Sequence, residues 1–286
     1  MIRGISYTRI TLALDIVKKL TQGHFAGYHE LGIIKHQIDL GDTITIENSD
    51  EMKILCSNPQ VPCDESNICR QAADLLKKEF GIKQNVSICI DKRIPVQGGL
   101  AGGSANAAET LKILFEFWNI DVEFDKKIAL ARKLGMDVPF YFYGGTAFDS
   151  EAGGVLHPIE NNCSKLHFLL VVPPFGVSTK EAYARIDYAK IGQNINKTSE
   201  LKSALKTGKM KKIEENLHND FEQSVFLAHP ELADIKNRLL GCGANAAVMS
   251  GSGSTIIGIF DDEATVKNAS AKFQNAIAAA SLVEAK

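Results

Sequence analysis

Long apolar runs are absent from this sequence. No window of about eighteen uncharged apolar residues occurs, whereas a helix that crosses a bilayer needs about twenty. The N-terminal segment "MIRGISYTRITLALDIVKKL" is interrupted by Arg9 and Asp15 and lacks a small-residue cleavage site, so it is not typical of a secretory signal. We therefore expect a cytoplasmic protein with no membrane partner.

An excess of cations is also absent. The sequence has 32 Lys and Arg residues and 34 Asp and Glu residues, which gives a formal net charge of −2, and lysines cluster only in the run "KTGKMKK" at 206–212. Proteins that bind nucleic acids usually gather cations on one face, and a solvated loop followed by a helix start explains this run. We expect no nucleic acid partner.

Cysteines with metal-ligand spacing are absent as well. The six cysteines form no C-x-x-C motif, and several stand in apolar runs such as "VSICI". This placement favours buried free thiols over a zinc site or a disulfide framework. The sequence therefore names no metal ligand.

The patterns that are present alternate between strands and helices. "GISYTRITLALDI" and "NVSICIDKRIP" have strand-like alternation, and "DESNICRQAADLLKKEFG" predicts a helix capped by Asp64 or Ser66 and ended by Gly81. A final helix is predicted through "EATVKNASAKFQNAIAAASLV" at 263–283. For 286 residues, this mixture favours two domains of mixed α and β structure.

The boundary between these domains is predicted from composition. The stretch "EAGGVLHPIENNCS" at 151–164 is rich in Gly, Pro and Asn, as linkers often are. We place the boundary near residue 160, which divides the chain into domains at 1–160 and 161–286.

The most distinctive motif is "PVQGGLAGGSANAAETL" at 95–111, where clustered glycines precede a helical pattern. A helix start carries unpaired N–H groups and the positive end of the dipole, and glycines let backbone amides approach an anion. The motif therefore indicates phosphate binding, although a plain loop with Ser104 as N-cap is the alternative. It lacks the lysine of a Walker loop and the acidic partner of a dinucleotide fingerprint.

This loop resembles the phosphate loop of the GHMP kinase superfamily. Its order is Pro-x-x-x-Gly-Leu-x-Gly-Gly-Ser-Ala after "DKRIP", and three further segments follow the superfamily's order: "YTRITLALDI", "GMDVPFYFYGGTA" and "NAAVMSGSGSTIIGIF". With "GYHELGIIKHQIDLGDTITIE", they resemble the branch that phosphorylates a cytidine-diphosphate-linked methylerythritol in non-mevalonate isoprenoid synthesis. The resemblance implies an α+β, two-domain GHMP kinase fold. Its parts are an N-terminal ATP-binding domain with a ribosomal-protein-S5-like sheet and a C-terminal ferredoxin-like α/β sandwich.

The resemblance also implies the site residues. Asp137, in "DVP", falls at the catalytic aspartate, and Arg9 falls at the position near the transferred phosphate. Matches at ATP-binding positions are Asn67, Lys92, Pro95, Gly98, Gly99, Leu100, Gly102, Gly103 and Ser104, and matches at substrate positions are Thr11, Tyr28, His29 and Tyr183. ATP and Mg²⁺, the latter held mainly by the phosphates, are the implied cofactors of a monomer or weak homodimer that takes a small-molecule substrate.

Taken singly, each of these residues has a structural alternative. Asp137 is an ordinary turn former, Lys92 a surface lysine at a strand end, and Tyr183 a core tyrosine on an amphipathic helix. "FAGYHEL" is an ordinary turn before a strand, and the glycines of "GSGS" at 251–254 form a hairpin turn.

The chain departs from the family's pattern where phosphate is handled. Arg9 and Thr11 stand where the family has lysine and asparagine, Gln97 stands where a small residue is common, and Ala101 and Ala105 replace glycine and serine. Alanine at 101 is costly only if the backbone there has positive φ. The readings left open are an active cytidine-substrate kinase, a kinase for another small alcohol, and a nucleotide-binding protein with little or no kinase activity.

Overall fold

The computed structural model describes residues 1–22, 26–151 and 153–282. The strands of this part are β1 (Ile2–Lys19), β2 (His29–Ser49), β3 (Lys53–Cys56), β4 (Asn85–Asp91), β5 (Thr146–Ser150), β6 (Val155–Pro158), β7 (His167–Val171), β8 (His218–Asn219), β9 (Ala246–Met249), β10 (Ile256–Phe260) and β11 (Ala276–Ala280). The helices are α1 (Ile68–Phe80), α2 (Gly102–Phe117), α3 (Phe124–Leu134), α4 (Phe140–Tyr143), α5 (Thr179–Ala184), α6 (Ile195–Thr207), α7 (Met210–Asn216), α8 (Glu222–Ala228), α9 (Pro230–Gly241) and α10 (Glu263–Ser270). Among the helices of these residues, none combines the length and apolar character that a membrane crossing requires.

The chain forms two compact units that interleave along the sequence. The first contains Met1–Thr8, Leu40–Val96 and Ala101–Gly144, and the second contains Arg9–Asp39, Gln97–Leu100 and Gly145–Lys286. Strands β1 and β2 each contribute residues to both units. Because neither unit is a continuous segment, the units do not test the predicted domain boundary near residue 160, which stays a prediction.

The first unit consists of strands covered by helices. Strand β4 pairs antiparallel with the C-terminal half of β2, from Thr43 opposite Asp91 to Ser49 opposite Asn85, and parallel with β3. Alternate residues such as Ile44 and Ile88 are fully buried, as one face of a covered sheet requires. Helices α1 and α2 pack against each other in this unit.

The N-cap of helix α1 lies one residue after Ser66 and three residues after Asp64, the two caps that the sequence suggests. Asn67 is the N-cap, and its side chain accepts from the Cys69 N–H at 2.8 Å. Asp64 instead closes a turn by accepting from the Ser66 N–H at 2.8 Å. The predicted stop is confirmed, because Gly81 adopts φ +70 and its N–H donates to the Lys77 carbonyl, a C-terminal cap that glycine favours.

The second unit contains a four-stranded antiparallel sheet in the order β11-β7-β10-β9. Residues of β7 and β10 such as Leu169 and Ile256 are buried in its core with Leu239 of α9 and Val266 of α10. Outside this sheet, β5 pairs with the N-terminal half of β2, β6 pairs with β5, and β8 pairs parallel with β1.

Three sequence expectations differ from the structure. The final helix stops at Ser270, and Ala276–Ala280 form an edge strand that pairs with β7 along its whole length. The expected linker at 151–164 contains β6 and thus belongs partly to a sheet. The six cysteines, all within the described residues, are free, but only Cys69 is buried; Cys89, for example, is exposed between the buried Ile88 and Ile90.

Candidate functional site

In the second unit, the backbone of the glycine-rich segment at Gly99 leaves no room for a side chain. Gly99 has φ +75, and a Cβ built on it would lie 2.2 Å from the Ser250 carbonyl oxygen and 2.9 Å from that of Gly253. The Gly98 carbonyl accepts from the Thr255 N–H at 3.3 Å. Since a left-handed backbone and this close approach both exclude a side chain, glycine at 99 is required for the conformation of the loop.

Arg9 and Thr11 meet this segment from strand β1. Nη1 of Arg9 donates to the Gly99 carbonyl at 2.9 Å and to Thr11 Oγ1 at 3.2 Å, and the residue is only 7% exposed. Ser250 Oγ also donates to the Gly99 carbonyl at 3.1 Å and accepts from the Thr11 N–H at 3.2 Å. The structure thus brings two substitutions of the family pattern, Arg9 and Thr11, onto the glycine-rich segment.

A residue that the sequence did not indicate holds the second glycine-rich segment, 250–254. The Asn219 amide donates to the carbonyls of Met249 and Gly251, both at 2.7 Å, and its oxygen accepts from the Phe221 N–H at 3.0 Å. This buried side chain uses three of its four hydrogen-bonding positions on backbone. The segment connects strands β9 and β10, which form a hairpin, the alternative predicted from its glycines. The hydrogen bonds of Asn219 hold the segment's backbone in place.

In the first unit, a buried carboxylate holds the chain that leads into the loop. Asp42, which is fully buried, accepts from the N–H groups of Arg93 at 2.6 Å and Ile94 at 2.7 Å. The Lys92 ammonium donates to Asp42 at 2.6 Å and to the Ile94 carbonyl at 2.8 Å. Asn106 of α2 donates to the same carboxylate at 2.8 Å. Asp42 therefore ties the residues before the loop to the helix after it.

Lys92 is consequently placed inside this network rather than on the surface. Its side chain is 5% exposed and forms an ion pair with Asp42, and a Cβ added to Gly102 would lie 3.2 Å from its ammonium nitrogen. The ammonium thus lies beside the first residue of α2. A direct contact of Lys92 with ATP stays a prediction, as do the ATP contacts of Pro95 and of Asn67, whose amide caps α1 and also donates to the Pro62 carbonyl at 2.7 Å.

Helix α2 begins at Gly102, two residues before Ser104, which lies in its first turn. Ala101 occupies the N-cap position with φ +51, and Gln97 has φ +60. Both residues that replace smaller ones in the family pattern thus adopt the left-handed backbone that favours glycine. Gly103 is open, since a Cβ there would meet only Ile68, at 3.9 Å.

Asp137 lies half-buried in the turn that precedes α4. Its carbonyl accepts from the Phe140 N–H at 3.2 Å, and the N-cap of α4 is Pro139, so Asp137 shapes the turn without capping the helix. The Tyr141 hydroxyl donates to the Ala101 carbonyl at 3.2 Å. Within the first unit, this bond connects α4, which follows Asp137, to Ala101, the N-cap of α2.

Aromatic side chains of the second unit form a separate group. The His29 ring stacks on Tyr183, with centroids 4.6 Å apart and planes inclined by 16°, and His29 Nε2 lies 2.9 Å from the Tyr188 hydroxyl. Burial, with the Lys19 charge as a second cause, lowers the pKa of His29. Tyr28 precedes this group and is 56% exposed. The predicted His29 and Tyr183 are thus brought together, and Tyr188 is an addition that the sequence did not indicate.

The residues present fit a bound triphosphate. The loop has a glycine, Gly99, where a Cβ would strike backbone, and it is followed in the chain by the sixteen-residue helix α2, whose first N–H groups attract anions. Within the described residues, no group of three or more His, Cys, Asp or Glu is arranged to hold a metal ion. A metal that accompanies ATP would be ligated mainly by the phosphates themselves.

Comparisons with known proteins identify the relatives of this chain. The family model "GHMP kinases N terminal domain" matches residues 67–145, and "GHMP kinases C terminal" matches residues 201–279. The 4-diphosphocytidyl-2-C-methyl-D-erythritol kinase of Clostridium kluyveri is 39% identical, covering 90% of both chains, and that of Thermoanaerobacter pseudethanolicus is 37% identical, covering 90% of this chain and 86% of its own. The crystal structure of a 4-(cytidine 5'-diphospho)-2C-methyl-D-erythritol kinase superposes with a TM-score of 0.81 at 26% identity and covers 98% of both chains.

Proposed function

Because the chain belongs to the GHMP kinase family, we propose that it transfers the γ-phosphoryl group of ATP to the C2 hydroxyl of 4-diphosphocytidyl-2-C-methyl-D-erythritol. The two-domain GHMP kinase fold expected from the sequence is confirmed. The observation that carries the proposal is the relative of that name with 39% identity over 90% of both chains. The first matched region ends at residue 145 and the second begins at residue 201, so residue 160 lies between them. This supports the proposed domains at 1–160 and 161–286.

The loop and Arg9 have the chemistry to hold and neutralise phosphate. Backbone amides of residues 98–104 would hold the triphosphate, and the start of α2 adds the positive end of its dipole. The Arg9 guanidinium, already on the Gly99 carbonyl, supplies a charge that cannot be lost by deprotonation. ATP would supply the phosphoryl group, and Mg²⁺ held on its phosphates would offset their negative charge.

Asp137 and the aromatic group have roles on the acceptor side. Asp137 would orient or deprotonate the C2 hydroxyl, with direct in-line transfer and no covalent enzyme intermediate. The flat stack of His29 on Tyr183 supports recognition of a base, because aromatic faces stack on bases and imidazole nitrogens read their edges. Tyr28 and Thr11 complete the proposed substrate positions.

An acceptor panel tests the proposal. The protein is incubated with MgATP and, separately, with the cytidine-diphosphate compound, the corresponding erythritol phosphate without cytidine, and the small alcohols that other family members use, and ADP formation is followed. Turnover confined to the cytidine compound supports the proposal. Turnover of another alcohol would move the chain to that substrate, and ATP binding without turnover would contradict the kinase activity.

The physiological setting is part of the same proposal. We place the enzyme in the cytoplasm as a monomer or weak homodimer that binds neither nucleic acid nor membrane. The net charge of −2 and the absence of a cationic stripe in the sequence support the absence of a nucleic acid partner. Sedimentation of the purified protein over a range of concentrations measures the oligomeric state.

A further inference from the structure

The contact between Tyr188 and His29 has no role in the function proposed above. The Tyr188 hydroxyl lies 2.9 Å from His29 Nε2, while the ring centroids are 5.9 Å apart and the planes are inclined by only 22°. The hydroxyl therefore contacts the Nε2 atom of the imidazole, while the two rings lie nearly parallel. Tyr188 lies in the segment after α5, in the same unit as His29.

The face of the same imidazole is held by a different ring. Tyr183 stacks on His29 at a centroid distance of 4.6 Å and is itself met edge to face by Phe221, which is buried, at 4.9 Å and 83°. Stacking alone does not distinguish two orientations of His29 related by a half-turn about Cβ–Cγ, because either ring orientation covers Tyr183 equally. The hydrogen bond does distinguish them, since a half-turn replaces Nε2 by a carbon.

The bond to Tyr188 also constrains the proton on His29. The lowered pKa of His29 keeps the ring neutral at physiological pH, and a neutral imidazole has one N–H donor and one acceptor nitrogen. Whichever role Nε2 takes toward the hydroxyl, Nδ1 takes the opposite one. The Tyr188 hydroxyl thus fixes the direction of the ring and couples the role of Nδ1 to its own: when the hydroxyl donates to Nε2, Nδ1 carries the proton, and when the hydroxyl accepts, Nδ1 is the acceptor.

We propose that Tyr188 is a positioning residue that sets base specificity by fixing the His29 imidazole. The Watson–Crick edge of cytosine presents an amino donor beside an acceptor nitrogen, whereas uracil presents a carbonyl acceptor beside an N–H donor. A nitrogen held in one place with one of these roles pairs with the facing atom of one base and meets a like group at the same position of the other. The inference rests on the proposed function, because that function brings a cytidine to His29.

The Tyr188→Phe variant tests this role because it removes the hydroxyl and keeps the ring. Calorimetry on the full chain measures binding of cytidine 5'-diphosphate and uridine 5'-diphosphate, and steady-state kinetics measure KM and kcat for the cytidine substrate. We expect the preference for cytidine over uridine to fall about fivefold to tenfold, the worth of one hydrogen bond. KM for the cytidine substrate should rise by a similar factor, with kcat and the KM for ATP unchanged.

A matched control removes a hydroxyl elsewhere. Tyr143 is also a partly exposed tyrosine, and it meets the edge of Phe124 in the first unit. Tyr143→Phe should keep the wild-type preference between the two nucleotides. A Tyr188→Phe variant with the same preference as the wild type and the Tyr143→Phe control overturns the proposal.

Nitrogen-15 NMR of the free protein examines the contact without any substrate. The wild type should show His29 as one predominant neutral tautomer, and Tyr188→Phe should show a mixture of both. An unchanged tautomer ratio in the variant overturns the proposal even if affinity falls. If the wild type does not turn over the cytidine compound, the proposed function fails, and the nucleotide preference together with the tautomer ratio still shows separately whether Tyr188 selects a base.

Discussion

The glycine at position 99 is predicted to be indispensable, and the perturbation that tests this is Gly99→Ala. Its backbone is left-handed, and the added Cβ would lie 2.2 Å from the Ser250 carbonyl oxygen. That carbonyl cannot easily retreat, because Asn219 holds the neighbouring carbonyls of Met249 and Gly251 at 2.7 Å. The substitution must therefore displace the glycine-rich segment itself.

The expected loss follows from two contributions. A left-handed conformation costs an L-residue about 1–2 kcal/mol. Moving the segment away from Ser250 also breaks the hydrogen bonds that the Gly99 carbonyl accepts from Arg9 and Ser250, each worth about 1 kcal/mol. We expect the free energy of unfolding to fall by about 3 kcal/mol.

Urea unfolding of the wild type, Gly99→Ala and Gly103→Ala measures this difference, with the KM for ATP as a second readout. Gly103 belongs to the same motif, but a Cβ there meets only Ile68 at 3.9 Å. Because alanine favours a helix by about 1 kcal/mol over glycine, Gly103→Ala should be neutral or stabilising. Equal stability of the two variants, or a Gly99→Ala loss below about 1 kcal/mol, would refute the reasoning.

Four further predictions follow from the site and the core. Ala101→Gly should raise the free energy of unfolding in urea by up to about 1 kcal/mol, because it relieves φ +51 at that position; a loss of stability would contradict this. Asp137→Asn should lower kcat at least about a hundredfold, and a near-wild-type kcat would remove Asp137 from the chemistry. Arg9→Ala should lower kcat by about a hundredfold, while Arg9→Lys should keep most of the activity, because the hydrogen bonds from Nη1 to the Gly99 carbonyl and to Thr11 Oγ1 need a single donor nitrogen; equal losses would show that the planar fork is needed. Burial lowers the pKa of His36 to about 4 from 6.5, so its neutral form contributes stability that is present above pH 6.5 and lost as the pH falls toward 4. The wild type should lose about 2 kcal/mol more than His36→Gln in urea unfolding between pH 7 and pH 5, and parallel losses would exclude His36 as the source.

Much of the fold could be predicted because local patterns agree with the structure. Helix α1 stops at Gly81 as expected, and the strand patterns "GISYTRITLALDI" and "NVSICIDKRIP" fall in β1 and β4. Strand β11 could not be predicted, since its sequence "AIAAA" consists mainly of the best helix former. Its five residues pair with all of β7, and this long-range pairing outweighs local propensity.

The residue types of the site could be predicted, but their partners could not. The glycine loop, Arg9 and His29 are visible as motifs, whereas Asp42 meets Lys92 across 50 residues and Tyr188 meets His29 across 159. No periodicity links residues so far apart. The left-handed conformation of Gln97 and Ala101 was likewise invisible, because neither residue type signals it.

The interleaved units set an order of completion during synthesis. The first unit has all its residues once Gly144 has left the ribosome, whereas the second needs the C-terminal strand. Asp15 waits for His218, 203 residues later, and His36 waits for Ser281, 245 residues later. At ribosomal speeds of about 5–20 residues per second, the buried side chains of Asp15 and His36 remain without these partners for roughly ten seconds to a minute.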